Sequence, residues 1–191
     1  MHKPEIQHTF LLKKLIRYIK GTIAFGLPIT RSTLSLRTFS DADWASDPLT
    51  RKLTSGFCTF FGDTLVSWTV KKQPTVSRSS TESEYRALAS ATVDTIWIKR
   101  LLLDFRITHH SPVDIFCDNT STIALANNPV FHARTKHIEI DQRFVRDHIQ
   151  TGTIRLLPIC TVDQVADILT KPLATNRFQL LRSKLTITQD A

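Results

Sequence analysis

Leu34-Ser35-Leu36-Arg37-Thr38-Phe39-Ser40-Asp41 has the pattern of a β-strand and ends on an acid. Two further strand-like runs follow, Gly56-Phe57-Cys58-Thr59-Phe60-Phe61 and Thr64-Leu65-Val66-Ser67-Trp68-Thr69-Val70, joined at Gly62-Asp63. A glycine turn between two such runs is a hairpin signal, so the three segments predict an antiparallel meander. A polar, basic linker, Lys71-Lys72-Gln73-Pro74, leads to Ser79-Ser80-Thr81-Glu82, which has the spacing of a helix capping box. The helix it opens runs to about Leu103, with Tyr85, Leu88, Ala89, Thr92, Ile96 and Leu103 near one face. Glu84 shares that stripe. An acid on a buried stripe needs a partner, and a metal is one.

Downstream, helices and strands alternate. Val113 to Asp118 reads as a fourth strand, again ending in acid, and Asn119 to Asn127 as a short helix stopped by Asn128-Pro129. Thr135 to Gln150 is a longer helix, Thr153 to Pro158 a fifth strand, Val162 to Thr170 a helix broken by Pro172, and Thr175 to Leu185 a last helix. A meander followed by alternating elements predicts an α/β fold, a five-stranded mixed sheet flanked by helices. Upstream, residues 1–30 stand apart. Leu11, Leu15 and Tyr18, with Leu12 and Ile16, follow helical spacing beside Lys13, Lys14, Arg17 and Lys20, and Gly21 is a plausible stop. This segment has no core of its own and reads as the tail of a larger preceding domain.

The chain of 191 residues is long enough for one domain with a real core, and its formal charge of +8 favours a polyanion, nucleic acid in the first place. The three cysteines, Cys58, Cys117 and Cys160, form no CxxC pair and read as buried or incidental thiols in a reducing compartment, with no zinc site; the location is left unknown, with a cytoplasmic particle or the nucleus as the intracellular expectation. No apolar stretch is long enough for a membrane span, and charge interrupts the N-terminal apolar run of any signal peptide.

Four acids lie in four separate elements: Asp41 and Asp118 at strand ends, Glu84 early in the long helix, Asp167 in a short C-terminal helix. Carboxylates gathered at strand ends hold hard cations. Two-metal cleavage of a phosphodiester needs several of them, holding ions roughly 4 Å apart. Without metal, one or more should have a raised pKa. Among 17 acidic residues other sets are possible, and Asp43, Asp47, Glu82 and Asp114 are rivals.

Several motifs carry a resemblance. Ser40-Asp41-Ala42-Asp43-Trp44-Ala45, Thr50-Arg51-Lys52, Thr54-Ser55-Gly56, Ser67-Trp68 and Lys71-Lys72-Gln73 are one group. Ser79-Ser80-Thr81-Glu82-Ser83-Glu84-Tyr85, Cys117-Asp118-Asn119, Arg134-Thr135-Lys136-His137-Ile138 and Ala166-Asp167-Ile168-Leu169-Thr170-Lys171-Pro172 are another. In order they resemble the ribonuclease H domain of copia-type LTR retrotransposon Pol polyproteins. Residues 3–27 look like the C-terminal end of the reverse transcriptase of the same polyprotein. The resemblance implies a remnant over residues 1–30, a ribonuclease H-like domain over 34–175 and a C-terminal helix and tail over 176–191. It implies hydrolysis of the RNA strand of RNA–DNA hybrids with two Mg²⁺ ions, or Mn²⁺ in their place. Asp41, Glu84, Asp118 and Asp167 match the family's metal-binding acids. Asp43 is set aside as lying beyond the strand end, and Glu82 as lying off the stripe.

Two features depart from the family. Ile159 to Ala166 contains no histidine, and Leu53 stands where a serine is usual. With the truncated start they motivate a second reading, an inactive nucleic-acid-binding remnant of a decayed element; a nuclease acting on DNA is a third. Lys71, Lys72 and Arg78 read as contacts to hybrid phosphates or as a solvated linker. Asn119 reads as a contact to a 2′-hydroxyl or as a helix cap. His137 reads as a helix start, and Trp44, Trp68 and Trp97 as packing.

Overall fold

The first strand, β1 (Leu36–Asp43), is the centre of the molecule. In the computed structural model, which describes residues 3–44, 53–73, 77, 79–109, 111–128 and 138–189, β1 is flanked by β2 (Thr54–Phe61) and β4 (Val113–Cys117). Outside these lie β3 (Thr64–Lys72) and β5 (Ile154–Pro158), giving the order β3-β2-β1-β4-β5. The meander is antiparallel, whereas β1, β4 and β5 run parallel. This is the mixed five-stranded α/β sheet expected from the sequence.

The helices are α1 (Ile6–Thr22), α2 (Ser80–Asp104), α3 (Thr120–Asn127), α4 (Glu139–Gln150), α5 (Asp167–Thr170) and α6 (Thr175–Lys184). Alternation along β1 sorts its side chains between two layers. Leu36, Thr38 and Ala42 face α2: Leu36 packs with Ile98, the Thr38 hydroxyl lies 2.9 Å from that of Thr95, and Ala42 packs with Ala87 and Leu53. Phe39 and Asp41 face the other layer, where Cys58, Phe60, Leu65, Val165 and Leu185 form a second core beneath α5 and the C-terminal segment. The main core lies between α2, α3, α4 and the parallel strands, around Tyr85, Leu88, Ile115, Val145 and Ile154.

Several boundaries differ from the sequence reading. β1 continues two residues past Asp41, because Ala42 and Asp43 still pair with Ser55 and Thr54. Asp43 therefore closes the strand and does not lie beyond it. Lys71 and Lys72 are not linker: they pair with Ser55 and Thr54 as the last residues of β3. Leu103 turns out exposed at the end of α2. The stretch Val162 to Thr170 is a 3₁₀ turn, Thr161–Asp163, followed by the four-residue α5. Gly21 is inside α1, not after it. The expected helix start at Thr135, with His137, lies outside the described residues, as do Arg78 and Asp47. Off-pattern Leu53 is fully buried against Ala42 and Ala87, so the apolar side chain has a packing role there. Trp44, Trp68 and Trp97 are about half exposed, at the rim of the molecule. The N-terminal segment is tied to the C-terminal one: Gly26 pairs with Thr188, and the Arg182 guanidinium sits 4.1 Å from the centre of the Phe25 ring.

Gly56 sets how closely α5 approaches the sheet. A Cβ at this position would stand 2.9 Å from Leu169 Cβ, 3.0 Å from Thr170 Cγ2 and 3.2 Å from the Thr69 carbonyl oxygen. Gly56→Ala should therefore lift α5 and cost about 1–3 kcal/mol, as overpacking does. Urea unfolding is the check, and an unchanged midpoint would contradict the close approach.

Candidate active site

Asp41 is fully buried near the C-terminal end of β1, opposite Gly56 on β2. Its neighbours arrive with α5: the Thr170 hydroxyl donates to Oδ2, and Lys171 Nζ lies 3.0 Å from Oδ1. Burial raises its pKa above the ordinary carboxylate value, opposed by Thr170 and Lys171. Glu84 comes from the opposite layer, in the first turns of α2, where the positive end of the helix dipole favours an anion. Ser79 starts that helix by accepting a hydrogen bond from the Glu82 N–H at 3.2 Å.

Asp118 follows β4, the parallel neighbour of β1, so the two strands deliver their acids at the same end of the sheet. Thr161 donates to Asp118 Oδ2 at 3.2 Å. Asp167 opens α5, and the turn before it is fastened by fully buried Gln164, whose Nε2 donates to the Ser40 carbonyl at 3.0 Å. Lys171 lies 2.6 Å from Asp167 Oδ1, and Arg177 of α6 lies 3.2 Å from Oδ2.

The four acids meet. Carboxylate oxygens of Asp41, Asp118 and Asp167 lie within 4.8 Å of one another, as do ligand atoms of Glu84, Cys117 and Asp118. Glu84 Oε2 is buried without a hydrogen-bond partner. Burial, then the charges of Asp41 and Asp118, push the Glu84 carboxyl up to about 9, against a backbone hydrogen bond from Ala42. Carboxylate oxygens clustered around one buried, unpaired oxygen suit a hard divalent cation, so the residues present fit the Mg²⁺ that the sequence motifs imply.

The rivals are differently engaged. Glu82 is as buried as Glu84, so the stripe does not separate them; its carboxylate lies 3.0 Å from Arg86. Asp114 pairs across the sheet with Arg155 at 2.8 Å. Asp43 is half-buried at the strand end. Asn119 caps α3, its Oδ1 accepting from the Thr122 N–H at 3.0 Å. Lys71 and Lys72 are exposed on β3, in line with Ala42 and Asp43 two strands away, about 10 Å by strand spacing. Sequence pattern alone does not single out Thr170, Lys171, Arg177 or Gln164. Only Lys171 leaves a signal there, an opposite charge four residues after Asp167.

No protein-family model matches the chain. Curated relatives match nearly all of it: for example, the retrovirus-related Pol polyprotein from transposon RE1 of Arabidopsis thaliana is 43% identical over 99% of the chain, and that from transposon TNT 1-94 of Nicotiana tabacum is 34% identical over 95%. Over nearly its whole length the chain is thus similar to retrovirus-related Pol polyproteins of transposons, the copia-type family that its motifs resemble. It spans 13% of the length of the first relative and 14% of the second.

Solved structures show that the chain has the ribonuclease H fold. The N-terminal RNase H domain of Rv2228c from Mycobacterium tuberculosis superposes with a TM-score of 0.51 at 9% identity, over 79% of this chain and 98% of that one. LC11-RNase H1, solved in complex with an RNA/DNA hybrid, gives 0.51 at 12% identity, over 71% of this chain and 94% of that one. Among the described residues no helix is long and apolar enough to cross a membrane.

The raised Glu84 pKa sets a pH dependence for metal-free protein. Below the ordinary value near 4.5 the group is protonated in both folded and unfolded chains and has no effect. Between 4.5 and about 9 only the unfolded chain ionises, so stability falls as pH rises through that window. Glu84→Gln should flatten the slope and gain roughly 1–3 kcal/mol at pH 8 without metal. Thermal unfolding in chelator across pH measures this, and a slope identical in both proteins would exclude an ionisable Glu84 as its source.

Proposed function

We propose that this chain is a metal-dependent endoribonuclease of the ribonuclease H type, cutting the RNA strand of RNA–DNA hybrids within a retrotransposon Pol polyprotein. One observation carries the reading: four acids from four elements converge, with one buried carboxylate oxygen left unpaired. Asp41, Glu84, Asp118 and Asp167 would hold two Mg²⁺ ions, with Mn²⁺ able to replace them. Such ions supply activation of water and stabilisation of the leaving oxygen.

The chain's own residues supply placement. β1 and β4 fix Asp41 and Asp118 side by side, α2 brings Glu84 from one layer and α5 brings Asp167 from the other. Lys71, Lys72 and Arg78 would meet hybrid phosphates. Asn119, whose Oδ1 is used by the cap, would offer its amide to a 2′-hydroxyl. We further propose that residues 1–30 are the end of the reverse transcriptase and that its remainder is the partner of α1. The absence of buried residues in α1 supports this assignment.

The test is cleavage of a strand-labelled RNA–DNA hybrid by the purified chain with Mg²⁺. Asp118→Asn should lower the rate by at least about 10²-fold while leaving the fold intact. Equal rates for parent and variant would sink the reading. Salt-sensitive binding without cleavage would favour an inactive remnant, and equal cutting of a DNA duplex would favour a DNA nuclease. The lysines have a separate signature: Lys71→Ala with Lys72→Ala should weaken hybrid binding in every sequence and reduce the salt slope by about 1 for each phosphate no longer neutralised. A slope unchanged in fluorescence anisotropy titrations would place them off the nucleic-acid path.

A further inference from the structure

The two halves of the carboxylate cluster are balanced differently. At one half, Glu84 Oε2 is buried with no partner and Asp118 stands beside it. At the other, Asp41 and Asp167 already share a cation, since Lys171 Nζ lies 3.0 Å from Asp41 Oδ1 and 2.6 Å from Asp167 Oδ1. A divalent ion binding both of those oxygens would occupy the space of the ammonium, and two cations so close repel.

The two basic residues at Asp167 are not equally free to leave. Arg177 is fastened by the Thr161 carbonyl at 2.6 Å and by the Val162 carbonyl, as well as by Asp167. Lys171 is held through the two carboxylates, its side chain is 29% exposed, and it follows the last residue of α5 on extended backbone. Its four-carbon stem lets the charge move while the main chain stays.

We propose that Lys171 is a built-in counter-cation. It holds Asp41 and Asp167 together before metal arrives and withdraws when a divalent ion enters between them. The half formed by Glu84 and Asp118 therefore fills first, and the Asp41 and Asp167 half fills second and more weakly. This deepens the nuclease reading and rests on it for the purpose of the ions, but it concerns binding and is measured without substrate.

The experiment is Mn²⁺ titration of the full chain, followed by electron paramagnetic resonance of free Mn²⁺ and by calorimetry. The parent should bind one ion tightly and one weakly. Lys171→Met should tighten the weak site about tenfold, lower the melting temperature in chelator, and enlarge the rise in melting temperature on adding Mn²⁺. Lys171→Arg, which keeps the charge, should retain a weak second site and serves if the methionine variant does not fold without metal. An unchanged or weaker second site in folded Lys171→Met, or a second site tightened equally by arginine, overturns the proposal even if the parent cuts hybrid. A parent that binds no Mn²⁺ overturns the metal-dependent reading and this proposal with it. A parent that binds two ions, with the predicted change in the variant, sustains the Lys171 role even if no hybrid is cut.

Discussion

Several carboxylates buried at one end of two parallel strands are the constraint on which the rest of this structure depends. Two like charges 4 Å apart repel by about 4 kcal/mol at the effective dielectric of a protein near its surface. Asp41, Asp118 and Asp167 offer oxygens within 4.8 Å of one another, and Glu84 joins Asp118 from the other layer. Such a cluster persists only where protons, cations or hydrogen bonds offset the repulsion. Each device is present. Glu84 is pushed toward protonation, Lys171 and Arg177 approach Asp167, and hydroxyls reach Asp41 from Thr170 and Asp118 from Thr161. Burial works against the Lys171 ammonium, yet Asp167 and Asp41 outweigh it and hold its pKa above the lysine range.

The scaffold explains how so short an element as α5 is placed so firmly. Four residues of helix have little stability alone. Its position comes from Gln164, anchored on the β1 backbone at Ser40, and from the bare backbone at Gly56, which lets Leu169 and Thr170 settle on the sheet. The burial of Val165 in the second core does the rest. Sheet, glycine and glutamine together fix the direction of Asp167, so the last of the four acids is as well positioned as the one in the central strand.

What the sequence makes legible follows from range. The meander, the α2 stripe and the parallel strands rest on local periodicity, and each is readable. So are the four acids as candidates, because strand ends and a helix start announce themselves locally. Boundaries that depend on pairing are not. Ala42 and Asp43 continue β1 only because Ser55 and Thr54 lie opposite, and the same pair of residues draws Lys71 and Lys72 into β3. α5, four residues long, is barely one helical turn, too short for its period to repeat in the sequence. Choosing Glu84 over Glu82 by the apolar stripe uses the wrong discriminant, since both are buried; what differs is that Glu82 meets Arg86 whereas Glu84 has an oxygen without a partner.

That last difference bears on whether the site is a working one or a relic. A buried carboxylate without a partner lowers the stability of the metal-free chain, and an apolar or amide side chain of similar size would relieve the cost. Asp41 adds a second such cost, since burial raises its pKa despite two partners. Packing alone gives no reason to place either acid there. Leu53 illustrates the contrast: close by, an apolar residue is fully buried in contact with Ala42 and Ala87 and carries no desolvation cost of this kind. A cation bound at the cluster, as proposed above, would offset the cost of both acids by mass action.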